Sequence, residues 1–150
     1  MSQRRPQQTS RLLRVLLDAQ LDFVLIGGVA AVVHGASRMT HDLDIAMPFD
    51  AGSLSRLVET LRPFSPRHAT RPELSLLDDP IERLCEFKLL LIETDLGRLD
   101  AMPEVQPLGA ARDLPYVERR VFDRDCKVLT AAALVEVKRH VGRPKDLEVA

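Results

Sequence analysis

The sequence has no tryptophan, one tyrosine and two cysteines among its 150 residues. The shortage of tryptophan and tyrosine argues against an extended platform on which the bases of single-stranded nucleic acid would stack. The cysteines, Cys85 and Cys126, are far apart in the chain and have neither a C-x-x-C spacing nor a histidine at metal-ligand distance. We therefore expect free thiols, with no disulfide framework and no zinc site.

The chain also lacks an excess of charge of either sign, with 21 basic and 22 acidic residues. A nucleic-acid partner would therefore need a local basic patch, because no overall positive field would attract a phosphate backbone. No apolar run approaches the length that spans a membrane, and the N-terminal arginines are not followed by the apolar stretch of a signal peptide. The expectation is a cytoplasmic protein with no membrane partner.

The composition that remains is typical of one globular domain. Hydrophobic residues make up 45% of the chain and charged residues 29%, which excludes the disordered and membrane classes. Residues 1–9 are polar and are predicted to form a flexible tail. Residues 10–150 are predicted to form a single domain, because no linker or repeat divides them.

Hydrophobic periodicity and turn residues predict helices and strands in alternation. In the first half they are a helix from Ser10 to about Ala19, a strand over Phe23–Ile26, a helix over Val29–Val33, a strand over His41–Met47, and a helix capped by Asp50 and ended by Pro63. In the second half, residues 63–77 are predicted to form a mobile loop with short extended pieces, followed by a helix of one or two turns after Asp79. A hairpin of Glu86–Glu93 and Arg98–Met102 and an extended pair of Tyr116–Phe122 and Lys127–Leu129 come next. The last predicted elements are a helix from Thr130 to His140 and a final helix opened by Arg143.

The residues with the clearest chemistry lie around the first two predicted strands. Gly27-Gly28 leads into a helix N-terminus, where close backbone approach and exposed amides would suit a phosphate group. Asp42 and Asp44 are two residues apart in a strand, so their side chains share a face and could bind a hard cation such as Mg²⁺. Asp100 lies on a later strand that could pair beside this one, which would allow a site for two metal ions.

These residues resemble the signature of the DNA polymerase beta-like nucleotidyltransferase superfamily, in which a diglycine before a helix is followed by D-x-D on the next strand. The resemblance spans residues 21–146. It is closest to small bacterial members of the AbiEii-like type, which include toxin components of toxin-antitoxin systems and have a similar R-x-T-x-D-x-D arrangement. The resemblance implies a nucleotidyltransferase fold of the α+β class, with a mixed β-sheet flanked by α-helices.

The resemblance also implies an activity, the transfer of a nucleoside monophosphate from an NTP to a hydroxyl acceptor on a tRNA end, a protein side chain or a small molecule. Asp42, Asp44 and Asp100 would be the catalytic residues and would hold two Mg²⁺ ions, for which Mn²⁺ could substitute. The implied nucleotide-binding residues are Gly27, Gly28, Arg38, Thr40, Lys138 and Arg143. An antitoxin or another partner chain is compatible with the resemblance.

The same residues allow other interpretations. Many superfamily members carry a serine after the diglycine, where this chain has Val29. This difference, with the small size, leaves open a catalytically inactive binding or antitoxin-like module, and a metal-dependent phosphohydrolase is a third alternative. Among single residues, Lys138 could simply extend past the core into solvent, and Arg143 could form a surface ion pair.

Overall fold

The computed structural model describes residues 7–35 and 42–149, except for the side chains of residues 142–149. Within these ranges the chain forms an eight-stranded sheet, a separate two-stranded hairpin and helices on both faces of the sheet. The helices are α1 (Thr9–Asp18), α2 (Gly27–Val33), α3 (Ala51–Leu61), α4 (Ile81–Leu84) and α5 (Ala131–Val149). The strands are β1 (Val24–Ile26), β2 (Leu43–Ala46), β3 (Arg67–His68), β4 (Arg71–Ser75), β5 (Leu90–Thr94), β6 (Gly97–Met102), β7 (Glu104–Val105), β8 (Gly109–Ala110), β9 (Tyr116–Val121) and β10 (Arg124–Leu129).

The large sheet is mixed and has the strand order β4-β3-β5-β6-β2-β1-β10-β9. Strand β2 is parallel to β6, and β1 is parallel to β10, whereas the other neighbours in this sheet are antiparallel. The predicted α+β class, with a mixed sheet flanked by helices, is confirmed. In the described part of the chain, none of the helices combines the length and the apolar character needed to cross a membrane.

The described elements from α1 to α3 lie close to where the periodicity predicts them, although α2 begins at Gly27 and not at Val29. Helix α1 buries the leucines that recur three and four residues apart, which are Leu12, Leu13, Leu16 and Leu17. The Asp50 side chain accepts a hydrogen bond of 2.8 Å from the backbone N–H of Ser53 and so caps α3. Gln7 and Gln8, which precede α1, are also hydrogen bonded to the rest of the fold.

Several segments of the second half differ from the expectation, and one of them is the first strand of the predicted hairpin, which begins at Leu90 and not at Glu86. The short extended pieces predicted within residues 63–77 are present as β3 and β4, but they are strands that extend the large sheet at its edge and not parts of a loop. Strand β10 begins at Arg124, three residues before the start predicted for it at Lys127. Helix α5 is capped by the Thr130 side chain as predicted, but it continues through Pro144 to Val149 instead of ending before a separate last helix.

The two faces of the sheet bury two separate cores. The larger core lies under α1 and α3 and includes Leu43 and Ile45 of β2, while the smaller core includes residues at the start of α5. Because neighbouring residues of a strand point to opposite faces, Asp44 lies on the face opposite the larger core. The residues on either side of Asp100 in β6 also belong to the larger core, so Asp100 lies on the same face as Asp44.

Candidate active site

Asp44 and Asp100 are partners on two neighbouring parallel strands. Asp44 of β2 is in register with Asp100 of β6, as the sequence predicted for a later strand that pairs beside the first. Neighbouring strands lie about 4.8 Å apart, so two carboxylates on the same face at the same level are held close together. Such a pair is costly when both groups are ionised, unless a cation compensates the charge.

Asp42 completes this acidic group from the residue that precedes β2. The pKa of Asp44 is raised from 3.8 to about 7, first by burial and then by the charges of Asp100 and Asp42. The charge of Arg98 acts in the opposite direction and lowers the pKa of Asp44. The structure therefore brings the three predicted aspartates into one electrostatically coupled group.

Gly27 allows the diglycine turn to approach this group directly. Its φ angle is +70°, which lies in the left-handed region, and a Cβ atom at this position would overlap with the Asp44 carboxylate. Ile26, the last residue of β1, is the antiparallel partner of Asp44, so the chain enters α2 immediately beside the acidic group. Helix α2 has no side-chain cap at its start, where Gly27 and Gly28 are only partly buried.

Arg98 is a site residue that the sequence reasoning missed. Its Nε atom donates a hydrogen bond of 2.8 Å to Oδ1 of Asp100, and the two side chains are 23% and 16% exposed. Since Leu99 pairs with Leu43, Arg98 lies level with Asp42 across the two strands. The signal was present in the sequence, because residues 98 and 100 are two apart in a predicted strand and so share a face.

Val29 contributes no polar group to the site. Its side chain is 5% exposed and packs in the larger core. Any contact of this turn with a phosphate group would therefore come from backbone amides.

The other predicted nucleotide-binding residues are not placed at the aspartates. Arg38 and Thr40 lie outside the described residues, and so does the side chain of Arg143 on α5. Lys138 is exposed on α5, and no hydrogen bond or ion pair joins it to another residue in the described part of the chain. Its role in nucleotide binding stays a prediction.

The acidic group has the chemistry of a magnesium site without a complete set of ligands. Among the residues described, no group of three histidine, cysteine, aspartate or glutamate side chains is arranged to hold a metal ion. Magnesium usually takes only one or two protein carboxylates, together with water and substrate phosphates. The carboxylates of Asp44 and Asp100, which are in register, fit that requirement, while the assignment of all three aspartates to two ions stays a prediction.

No family model matches the chain, and no curated protein is similar to it in sequence. Among solved structures, the chain is similar to a Thermotoga maritima protein that is provisionally described as a nucleotidyltransferase. The two are 15% identical with a TM-score of 0.57, and the similarity covers 93% of this chain and 88% of the other. At this identity the similarity establishes a shared fold, which is the fold that the sequence motifs predicted.

Proposed function

We propose that this chain is a magnesium-dependent nucleotidyltransferase, which moves a nucleoside monophosphate from an NTP to a hydroxyl acceptor. The observation that carries the proposal is the pairing of Asp44 with Asp100 on adjacent parallel strands, beside the glycine turn that begins α2. The raised pKa of Asp44 supports it, because a site that concentrates carboxylates in this way is stabilised by a bound cation.

Each group of the site has a role in this proposal. Asp42 and Asp44 would bind the metal ions, and Asp100 would bind the ion nearer the acceptor. Bound magnesium would lower the pKa of the acceptor hydroxyl and neutralise the charge of the departing pyrophosphate. The amides at the start of α2 would donate to phosphate oxygens, in place of the hydroxyl that Val29 does not provide.

In this proposal the acceptor is an RNA end, a protein side chain or a small molecule. The narrower likeness to toxin components of toxin-antitoxin systems depends on Arg38 and Thr40, which lie outside the described residues. A toxin-antitoxin role and an antitoxin partner are therefore predictions from the sequence alone.

Transfer of label from α-labelled NTPs in a cell extract with Mg²⁺ tests the proposal. The purified chain and the variants Asp44→Asn and Asp113→Asn would be compared, because Asp113 is an exposed aspartate outside the site. We expect the wild type and Asp113→Asn to label a macromolecule or a small molecule, and Asp44→Asn to label nothing above background. The labelled fraction identifies the class of acceptor.

The same assay separates the two alternatives. A phosphohydrolase would release labelled monophosphate without an acceptor, and a non-catalytic module would neither transfer label nor bind NTP with metal. Either result from the wild type would contradict nucleotidyl transfer.

A further inference from the structure

Gln7 pairs with the strand that carries Asp100. Its side-chain Oε1 accepts a hydrogen bond of 2.7 Å from the backbone N–H of Arg98, and its Nε2 donates one of 3.1 Å to the backbone carbonyl of the same residue. The N–H and C=O of one strand residue are the two groups that a partner strand would engage. The Gln7 amide therefore takes the place of a partner strand beside Arg98. The pairing of β6 with β2 begins one residue later, where Leu99 of β6 pairs with Leu43 of β2.

The turn before Arg98 is shaped to receive this side chain. Gly97 has a φ angle of +115°, and a Cβ atom at Gly97 would overlap with the Gln7 amide. The backbone N–H of Gln8 donates a hydrogen bond of 2.8 Å to the carbonyl of Leu96, in the same turn. The buried Thr94 hydroxyl closes the turn through bonds to Leu96 and Gly97.

The hydrogen bonds continue from this turn into the acidic group. Arg98, whose backbone is held by Gln7, donates from its Nε atom to Asp100. The strand register places Asp100 beside Asp44. Hydrogen bonds thus link Gln7, before α1, to Asp100 of the candidate active site through Arg98, which lies 91 positions from Gln7 in the sequence.

We infer that Gln7 is a positioning residue of the active site, which fixes Arg98 and through its guanidinium sets the orientation of the Asp100 carboxylate. This inference rests on the proposed function, because it assigns the residue to the same metal-binding site. Gln7 is suited to the role because an amide both donates and accepts, whereas an apolar side chain of the same length would fill the space and make neither bond. Among the described residues, the neighbouring Gln8 side chain bonds only to Arg11, at an exposed position, so the two glutamines differ in their contacts.

The Nε–H resonance of Arg98 in a ¹⁵N-labelled sample without metal reports the contact directly. Gln7→Met, which keeps the length of the side chain, should shift or broaden this resonance, and the matched control Gln8→Met should leave it in place. A cooperative thermal unfolding transition in each variant shows that its spectrum and that of the wild type are both spectra of folded protein. An unchanged Arg98 resonance in Gln7→Met would overturn the inference.

Mn²⁺ affinity, measured by calorimetry, tests the consequence for the site. We expect Gln7→Met to weaken Mn²⁺ binding about tenfold, the lower end of the range for a change behind a metal ligand, while Gln8→Met binds as the wild type does. In an Arg98→Ala background Gln7→Met should have no further effect, because the guanidinium that transmits it is gone. Equal losses in both backgrounds would overturn the role assigned to Arg98. If the wild type binds no Mn²⁺, the proposed function fails, and the Arg98 resonance alone decides the role of Gln7.

Discussion

The absence of a side chain at Gly27 allows the glycine turn to approach Asp44 closely. Gly27→Ala adds a Cβ atom that would overlap with the Asp44 carboxylate, at a φ angle that side chains other than glycine rarely adopt. We expect a loss of about 1–3 kcal/mol in the free energy of unfolding, measured with urea, together with weaker Mn²⁺ binding.

Gly35→Ala provides the control for backbone strain at this position. Gly35 also has a positive φ angle, of +110°, but a Cβ atom there would meet no atom of the described residues within 4 Å. It should lose stability without losing Mn²⁺ affinity. Equal effects of the two substitutions on Mn²⁺ binding would contradict the close approach of Gly27 to Asp44.

Asp44 is expected to make the stability of the metal-free protein depend on pH. Because its pKa is raised from 3.8 to about 7, the unfolded chain loses this proton before the folded chain does, so stability falls as pH rises from about 4 to about 7. Asp44→Asn removes this dependence and should stabilise the protein above pH 7 by about 2 kcal/mol. A pKa shift of this size corresponds to roughly 4 kcal/mol without solvent screening, and the expected value is lower because the Asp44 carboxylate is partly exposed to water.

The measurement is the difference in unfolding free energy between Asp44→Asn and wild type, followed from pH 4 to pH 8 without divalent metal. The difference between Asp44→Asn and the wild type should vanish near pH 4, and Asp113→Asn is measured beside it as the control for removing an exposed carboxylate outside the site. A constant difference across this range would mean that Asp44 has no raised pKa.

The residues of the acidic group could be predicted from sequence because their spacing fixes the face of a strand. The D-x-D spacing placed Asp42 and Asp44 together, and the G-R-L-D stretch placed Asp100 in a strand. Gln7 could not be predicted in the same way, since its contact with Arg98 joins residues that no local pattern connects. It was grouped with the polar tail for that reason.

The β5–β6 hairpin is the element that holds Asp100, and Thr94 stabilises its turn. The Thr94 hydroxyl is fully buried, donates to the carbonyl of Gly97 at 2.8 Å and accepts from the N–H of Leu96 at 3.0 Å. Thr94→Val keeps the shape of the side chain and leaves both backbone groups without this partner. We expect a loss of about 1–3 kcal/mol, measured by denaturant unfolding.

Thr60→Val is the matched control, because the Thr60 hydroxyl donates only to a carbonyl within α3 at an exposed position. It should change stability by less than about 0.5 kcal/mol. A similar loss of unfolding free energy in Thr94→Val and Thr60→Val would show that the buried hydrogen bonds of the Thr94 hydroxyl do not stabilise the turn.

Elements with a strong local signal were predicted, and those that depend on tertiary pairing were not. The β5–β6 hairpin was predicted with strands at Glu86–Glu93 and Arg98–Met102, although β5 begins at Leu90, and α1 was predicted from its leucines. Strands β3 and β4 are short and contain charged residues and Pro72, so their sequence pattern is typical of a loop. They are strands because they pair at the edge of the large sheet, which no local pattern indicates. The length of α5 was missed because Pro144 normally indicates a helix boundary.

At the scale of the whole molecule, the site depends on strand order. Strand β2 lies between β1 and β6, which brings the glycine turn to one side of Asp44 and Asp100 to the other. The class of fold followed from the sequence motifs, but the order of eight strands did not, because β1 pairs with β10 and β2 with β6 across long stretches of chain.

The most direct test of the account is calorimetric binding of a non-hydrolysable NTP analogue with and without Mg²⁺ to the wild type, Asp44→Asn, Asp100→Asn and the control Asp113→Asn. We predict binding that requires Mg²⁺ in the wild type and in Asp113→Asn, and that is weakened at least about tenfold in each of the two site variants. Binding that is independent of Mg²⁺, or equally strong in all four proteins, would contradict the claim that the paired aspartates form a metal and nucleotide site.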